Sequence, residues 1–266
     1  MTTPTQRSAD LNGVHITYRE QGSGHPLMFL HGLGGNSRSW VNQFDAFSGT
    51  HRVIAWDAPG FGGSDCVGAD VGRFADTLNA LSDFLEIDDM FLVGHSMGGI
   101  VAGRFAGQHP ERVKSMVMSC SFWGGANPKG GTLGTGYQAR LDSLKTISAD
   151  DYGKQRAQAM LAEDARQDVL DLAASIAAET RPEGLEAAAR MLQETDNRDI
   201  LKTLNMPVTV ISGELDLVIA EETTKTFADL IPNATRVSIE GAGHGPYLEE
   251  PEVYNMALSK AFGLDD

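Results

Sequence analysis

The sequence predicts an α/β fold: a doubly wound, mostly parallel sheet of eight-stranded type, with a helical cap inserted between the sixth and seventh strands. Three observations predict it. Short apolar runs alternate with helix-periodic segments as far as Ser121, which is the rhythm of βαβ units. The run Met90-Phe91-Leu92-Val93 passes through Gly94-His95-Ser96-Met97-Gly98-Gly99 straight into a helix-compatible stretch, giving a strand, a sharp turn and a helix in succession. After Phe122-Trp123 the alternation stops, and from about residue 148 to 204 the pattern is purely helical. At 266 residues the chain exceeds the usual single-domain size, but α/β folds of this length form one unit with a large core. The division expected is a core of residues 1–122 and 205–266, with a cap of residues 123–204.

In chain order, strands are expected at residues 14–20, 26–30 and 52–56, the first of them antiparallel, followed by a helix over 73–85. The strand at 90–93 and the helix at 98–108, closed by His109-Pro110, lead to a strand over 113–118. Gly124, Gly125, Gly130, Gly131, Gly134 and Gly136 then make a loose connection, expected to behave as a hinge or mobile edge. Within the cap, Ser148-Ala149-Asp150-Asp151 reads as a capping box. Val169, Leu172, Ala173 and Ile176 share one apolar helix face, and Thr180-Arg181-Pro182-Glu183 opens a further helix. Residues 207–213 and 235–239 read as the last strands.

Composition removes several function classes. Lys and Arg total 21 against 36 Asp and Glu, a net charge of −15 that repels nucleic acid and anionic membrane surfaces. Cys66 and Cys120 are too few for a disulfide framework and are expected as buried free thiols near strand ends. The start Met1-Thr2-Thr3-Pro4-Thr5-Gln6 has no apolar signal core, so a cytoplasmic protein is expected, with homo-oligomerisation left open. The Gly-rich segment Gly32-Leu33-Gly34-Gly35 fails the dinucleotide spacing at Ser37, and no phosphate loop closes with Lys-Ser or Lys-Thr. No histidine pair has the spacing of a zinc site. The expected partner is therefore a small-molecule substrate, handled without cofactor or metal.

The chemistry is carried by three residues. A serine held at a strained strand-to-helix turn is presented as a nucleophile, but its hydroxyl needs a base held in turn by a buried acid. Ser96 occupies that turn. Asp216, in Glu214-Leu215-Asp216 after the strand at 207–213, is the better acid, and His244, flanked by glycines after the strand at 235–239, is the base. Of the other histidines, His31 is expected to steady the glycine loop that follows it. His95 is expected to point away from the turn in a structural role, and His15, His25, His51 and His109 read as surface or turn residues.

Five motifs stand in order: His31-Gly32-Leu33-Gly34-Gly35, Asp57-Ala58-Pro59-Gly60-Phe61-Gly62-Gly63-Ser64-Asp65, the serine turn, the acid turn and the histidine loop. Carrying these, the chain resembles the α/β-hydrolase superfamily from about residue 14 to 262, in the order Ser, Asp, His expected of it. One departure is visible: Ala220 stands where the turn after the acid commonly carries proline. The resemblance implies an oxyanion hole made by the backbone N–H groups of Leu33 and Met97. It implies a serine esterase or lactonase, similar to bacterial esterases and 3-oxoadipate enol-lactonases of aromatic catabolism. Two alternatives stay open: hydrolysis of a carbon–carbon bond in ring-cleavage products, whose families usually carry His-Gly-x-Gly-Pro-Gly at the first motif, and a small-molecule receptor keeping the same triad. Haloalkane chemistry, which needs a carboxylate nucleophile, is excluded by Ser96. Phe122, Trp123, Tyr137, Met160, Leu161 and Met191 are candidate pocket residues.

Overall fold

Leu27 to Leu30, Val53 to Trp56 and Met90 to Val93 are apolar at every position, and a strand of that kind is stable only when both of its faces are covered. The computed structural model, which describes residues 3–264, covers them in that way. The first two residues of the polar start therefore lie outside it. The core opens with β1 (Gln6–Leu11), β2 (Val14–Gln21), β3 (Pro26–Leu30), α1 (Val41–Phe47), β4 (Arg52–Trp56) and α2 (Val71–Phe84). It continues with β5 (Met90–His95), α3 (Met97–Gln108) and β6 (Val113–Ser119). Five helices are inserted there: α4 (Thr135–Thr146), α5 (Ala149–Met160), α6 (Gln167–Ala177), α7 (Pro182–Glu194) and α8 (Arg198–Leu201). The chain ends with β7 (Val208–Gly213), α9 (Glu221–Asp229), β8 (Thr235–Ile239), α10 (Pro246–Glu249) and α11 (Pro251–Phe262).

The strands form one eight-stranded sheet in the order β1-β2-β4-β3-β5-β6-β7-β8. β2 runs antiparallel to both its neighbours, and the pairs from β4 and β3 onward are parallel. Side chains alternate across each strand, so Met28, Leu30, Ile54 and Trp56 join α2, α3 and α9 on one face. Leu27, Phe29, Val53 and Ala55 join α1 and α11 on the other. β1, which the sequence reading did not locate, is an edge strand that buries only Ala9 and Leu11, too few apolar residues to signal a strand.

The insertion differs from expectation at its start. α4 begins inside the glycine-rich stretch, with Gly136 in its first turn, and the preceding loop is pinned to the end of α7. The amides of Gly125, Ala126 and Asn127 donate to the carbonyls of Leu192, Thr195 and Gln193, each at 2.9 Å. The buried Gln193 amide accepts from Gly134 N at 2.6 Å and donates to Thr132 O at 2.9 Å. Tertiary hydrogen bonds thus anchor the glycine-rich stretch to α7. Among the described residues no helix is long and apolar enough to cross a membrane.

Candidate active site

β5 lies at the centre of the sheet, and its carboxyl end delivers Ser96 to the turn into α3 with φ 50° and ψ −113°. A non-glycine residue held there costs about 1–3 kcal/mol, which the surroundings must supply. They do so through Ser96 N, which donates to Ser119 O at 2.8 Å, and Ser96 O, which accepts from Ser121 Oγ at 2.8 Å. The flanking glycines are steric necessities. A Cβ on Gly94 would stand 2.4 Å from Gly98 O, and one on Gly98 would stand 2.2 Å from Leu30 O. The turn is possible only because β5, α3 and β3 approach so closely.

Asp216 and His244 come together behind this turn. Asp216 Oδ1 accepts from the amides of Val218 at 2.8 Å and Ile219 at 2.9 Å, which leaves Oδ2 for His244 Nδ1 at 2.9 Å. Both side chains are enclosed, at 2 % and 7 % exposure. Burial pushes the Asp216 carboxyl up, but the His244 hydrogen bond and the two amides outweigh it and hold it below the usual carboxylate range. An ionised acceptor on Nδ1 fixes the proton there and leaves Nε2 as the basic nitrogen. Among the described residues Ser96 Oγ has no hydrogen bond to His244, although both line one cavity of about 460 Å³.

The loop after β3 is set by His31. Its buried Nε2 accepts from Ala58 N at 2.9 Å, so Nδ1 carries the proton and donates to Gly32 O at 2.8 Å. Burial lowers the pKa of His31 and keeps it neutral. Asp57 in turn ties this segment down, accepting from Ser37 N at 2.7 Å and Thr17 Oγ1 at 2.6 Å. Among the described residues neither Leu33 N nor Met97 N donates to a protein acceptor, so both remain available to a developing oxyanion.

Of the pocket candidates, Phe122, Tyr137 and Met160 line the cavity. Trp123 and Met191 do not. Met191 lies on the α7 face that closes over α3 and is fully buried in the sheet's own core, and Trp123 packs against the same cluster. Leu161 is also absent from the lining and is buried on the opposite face of the sheet. His95 corrects a further expectation: it lines the cavity, its ring centroid 4.9 Å from that of His244 and 4.8 Å from that of Tyr247. Burial and the neighbouring His244 and His31 hold its pKa well below the ordinary value. Of the cysteines, Cys120 is buried as expected, whereas Cys66 sits on the surface.

Sequence reasoning missed Glu249. Its buried carboxylate accepts from Ala162 N at 2.6 Å, from Gly243 N at 3.0 Å and from Gly245 N at 3.0 Å, and His244 N donates to Met160 O at 2.9 Å. The histidine loop is thereby stitched to the end of α5. Only the spacing of an acid five residues after His244, at the end of the short α10, could have signalled this. Arg140, Tyr152 and Arg156, which also line the cavity, read in the sequence as ordinary helix residues. Single ligand atoms of Cys120, Asp216 and His244 lie within 4.8 Å of one another. They make a poor metal site, because Nδ1 and Oδ2 already bond each other and burial pushes the Cys120 thiol well up, away from the thiolate a metal requires.

The sheet order, the serine turn at the end of its central strand and the acid and histidine after the last two strands are those of an α/β hydrolase. Residues 25–251 match the model of the alpha/beta hydrolase fold family, and the chain belongs to that family. Within it, the chain is 30 % identical to the pimeloyl-[acyl-carrier protein] methyl ester esterase of Aeromonas hydrophila, over 91 % of this chain and 96 % of that protein. It is 31 % identical to the non-heme chloroperoxidase CPO-A1 of Kitasatospora aureofaciens, over 88 % and 90 %. Among solved structures, a bromoperoxidase from Bacillus anthracis superposes with a TM-score of 0.85 at 25 % identity, covering 98 % of this chain and all of its own. An enol-lactonase from Burkholderia xenovorans superposes at 0.84 with 20 % identity, covering 97 % of this chain and all of its own, a likeness of fold.

Proposed function

We propose that the protein is a cofactor-free serine hydrolase that cleaves a small carboxylic ester or enol-lactone through an acyl-enzyme on Ser96. The observation that carries this is the enclosed 2.9 Å bond between His244 Nδ1 and Asp216, which aims a basic Nε2 into the cavity that the strained Ser96 also lines. In this mechanism Ser96 Oγ attacks the ester carbonyl while His244 Nε2 takes its proton. The tetrahedral oxyanion is held by Leu33 N–H and Met97 N–H. Collapse breaks the bond to the alkoxide, which leaves with the proton from His244, and water activated by the same nitrogen releases the acid and restores Ser96. The esterase named among the relatives supports this reaction class. A place in aromatic-compound breakdown belongs to the same proposal and is supported by the sequence resemblance.

The test uses short-chain aryl esters and a fluorophosphonate. The wild-type protein should turn the esters over and gain one phosphonyl group, mapped by mass spectrometry to Ser96. Ser96→Ala should keep its circular dichroism spectrum and lose on the order of 10⁶ in kcat. A pure variant retaining a few per cent of activity would end the assignment.

A further inference from the structure

Two arginines face the catalytic cavity without a partner in a protein that has acid to spare. Among the described residues, nine of the chain's fourteen arginines pair with a carboxylate, Arg38 with Glu179 and Arg236 with Glu221 for example. Arg19, Arg73 and Arg104 donate to hydroxyl or carbonyl oxygens. Arg140 on α4 and Arg156 on α5 do neither, and both line the cavity that holds Ser96 and His244. Among the described residues no Asp or Glu lines that cavity. The charges that act on Arg156 are those of Arg140, which opposes it, and the Tyr152 hydroxyl. Burial first, and then Arg140, push its guanidinium down to about 10. Burial raises the Tyr152 hydroxyl's pKa and the charges of both arginines oppose that rise, and Tyr152 lines the same cavity.

Two half-enclosed cations that line one cavity and repel each other are unfavourable until an anion joins them. A guanidinium offers a carboxylate or phosphate two parallel N–H donors, and Tyr152 adds an O–H. We propose that Arg140, Arg156 and Tyr152 form an anion subsite in the cap face of the cavity, selecting esters that carry a carboxylate or phosphate at the end remote from the scissile carbonyl. This deepens the reading of the protein as a serine esterase and rests on it for the position of the carbonyl.

The test has a kinetic and a binding arm. In the first, methyl half-esters of the dicarboxylic acids from succinic to suberic are compared with neutral methyl esters of equal length, and the quantity read is the ratio of their kcat/KM values. Hydrogen bonds to a charged group are worth about 1.5–3 kcal/mol, so the ratio should exceed one by about tenfold or more at the best length. It should fall about tenfold in Arg140→Gln or Arg156→Gln and approach one in the double variant, chiefly through KM. In the second arm, Ser96→Ala is titrated calorimetrically with glutarate, glutaramide and propyl phosphate, with and without the two glutamines. Binding of glutarate but not glutaramide, lost with the arginines, supports a carboxylate subsite, and preference for propyl phosphate supports a phosphate one. Circular dichroism and the melting temperature check that the glutamine variants fold, and removing two opposed cations should not lower the latter. Hydrolysis of neutral esters with a ratio near one, and no arginine-dependent anion binding, overturns the subsite and leaves the esterase reading standing. Arginine-dependent binding without hydrolysis of any ester does the reverse.

Discussion

At the scale of single residues, the site depends on what each atom is prevented from doing. Asp216 could rotate or take up a proton, but Val218 N and Ile219 N occupy Oδ1 and leave Oδ2 to His244 Nδ1. Asp216→Asn preserves the shape and the two amide contacts. It offers His244 an amide in place of a carboxylate, and the imidazole then has reason to carry its proton on Nε2, where it cannot accept one from Ser96. A loss of roughly 10⁴ in kcat is expected with little change in folding. Among the described residues the Glu214 side chain, two residues earlier, accepts from Gly241 N alone, at 3.0 Å on the surface, so Glu214→Gln should cost little. Steady-state kinetics of the pair decide the assignment: a sensitive Glu214 beside an insensitive Asp216 would mean that the wrong acid has been named.

At the scale of elements, the histidine loop is placed by a carboxylate that never reaches the cavity. Glu249, at the end of α10, gathers the amides of Ala162, Gly243 and Gly245, and so fixes the loop before α10 against the carboxyl end of α5. Burial raises its pKa in spite of those amides and of nearby His244. Glu249→Gln turns one acceptor oxygen into an NH₂ group facing N–H donors, leaving at least one buried donor unmet, at roughly 1–3 kcal/mol. Urea unfolding should show that loss, and kcat should fall more than KM rises, because substrate contacts survive while His244 drifts. Unchanged stability and kcat would show the clamp to be incidental. Glu249 also marks where sequence reading stops. Ser96, Asp216 and His244 were legible because the turns that carry them need glycines and follow buried strands, both of which are local signals. Glu249, Arg140 and Arg156 are ordinary charged residues on helices, and only the way α5, α4 and α10 pack determines that one is enclosed and two face the cavity. The same limit explains Met191 and Trp123, whose apolar character suited a pocket lining and a sheet core equally well.

At the scale of the molecule, the insertion between β6 and β7 is bound into the core rather than set upon it. Ala188, Met191 and Leu192 of α7, with Leu201 of α8 and Leu204 beyond it, are buried in the same apolar cluster as β3, β4 and α3. Ala157 and Leu161, with Val169 and Ala173 of α6, belong to the cluster on the opposite face of the sheet. Among the described residues, Leu133, Leu141, Tyr152, Leu185 and Ala189 form a small cluster drawn from the inserted segment, against which Leu33 of the core also packs. Five side chains of that kind, worth at most about 3 kcal/mol of burial apiece, cannot offset the ordering of some eighty residues at about 1–2 kcal/mol for each backbone. The insertion should therefore not fold alone, and the core should not outlast it. Urea unfolding of Trp123→Phe should run as one cooperative transition, with helix content by far-ultraviolet circular dichroism and the fluorescence of Trp40 and Trp56 tracing the same curve. Those two indoles report from opposite faces of the sheet, since Trp40 belongs to the cluster joined by α5 and α6 and Trp56 to the cluster joined by α7. If helical signal disappears at lower urea than tryptophan burial, the inserted helices are an independent unit resting on a self-sufficient sheet. Coincident curves would mean that any opening of the cavity is a motion within one cooperative body.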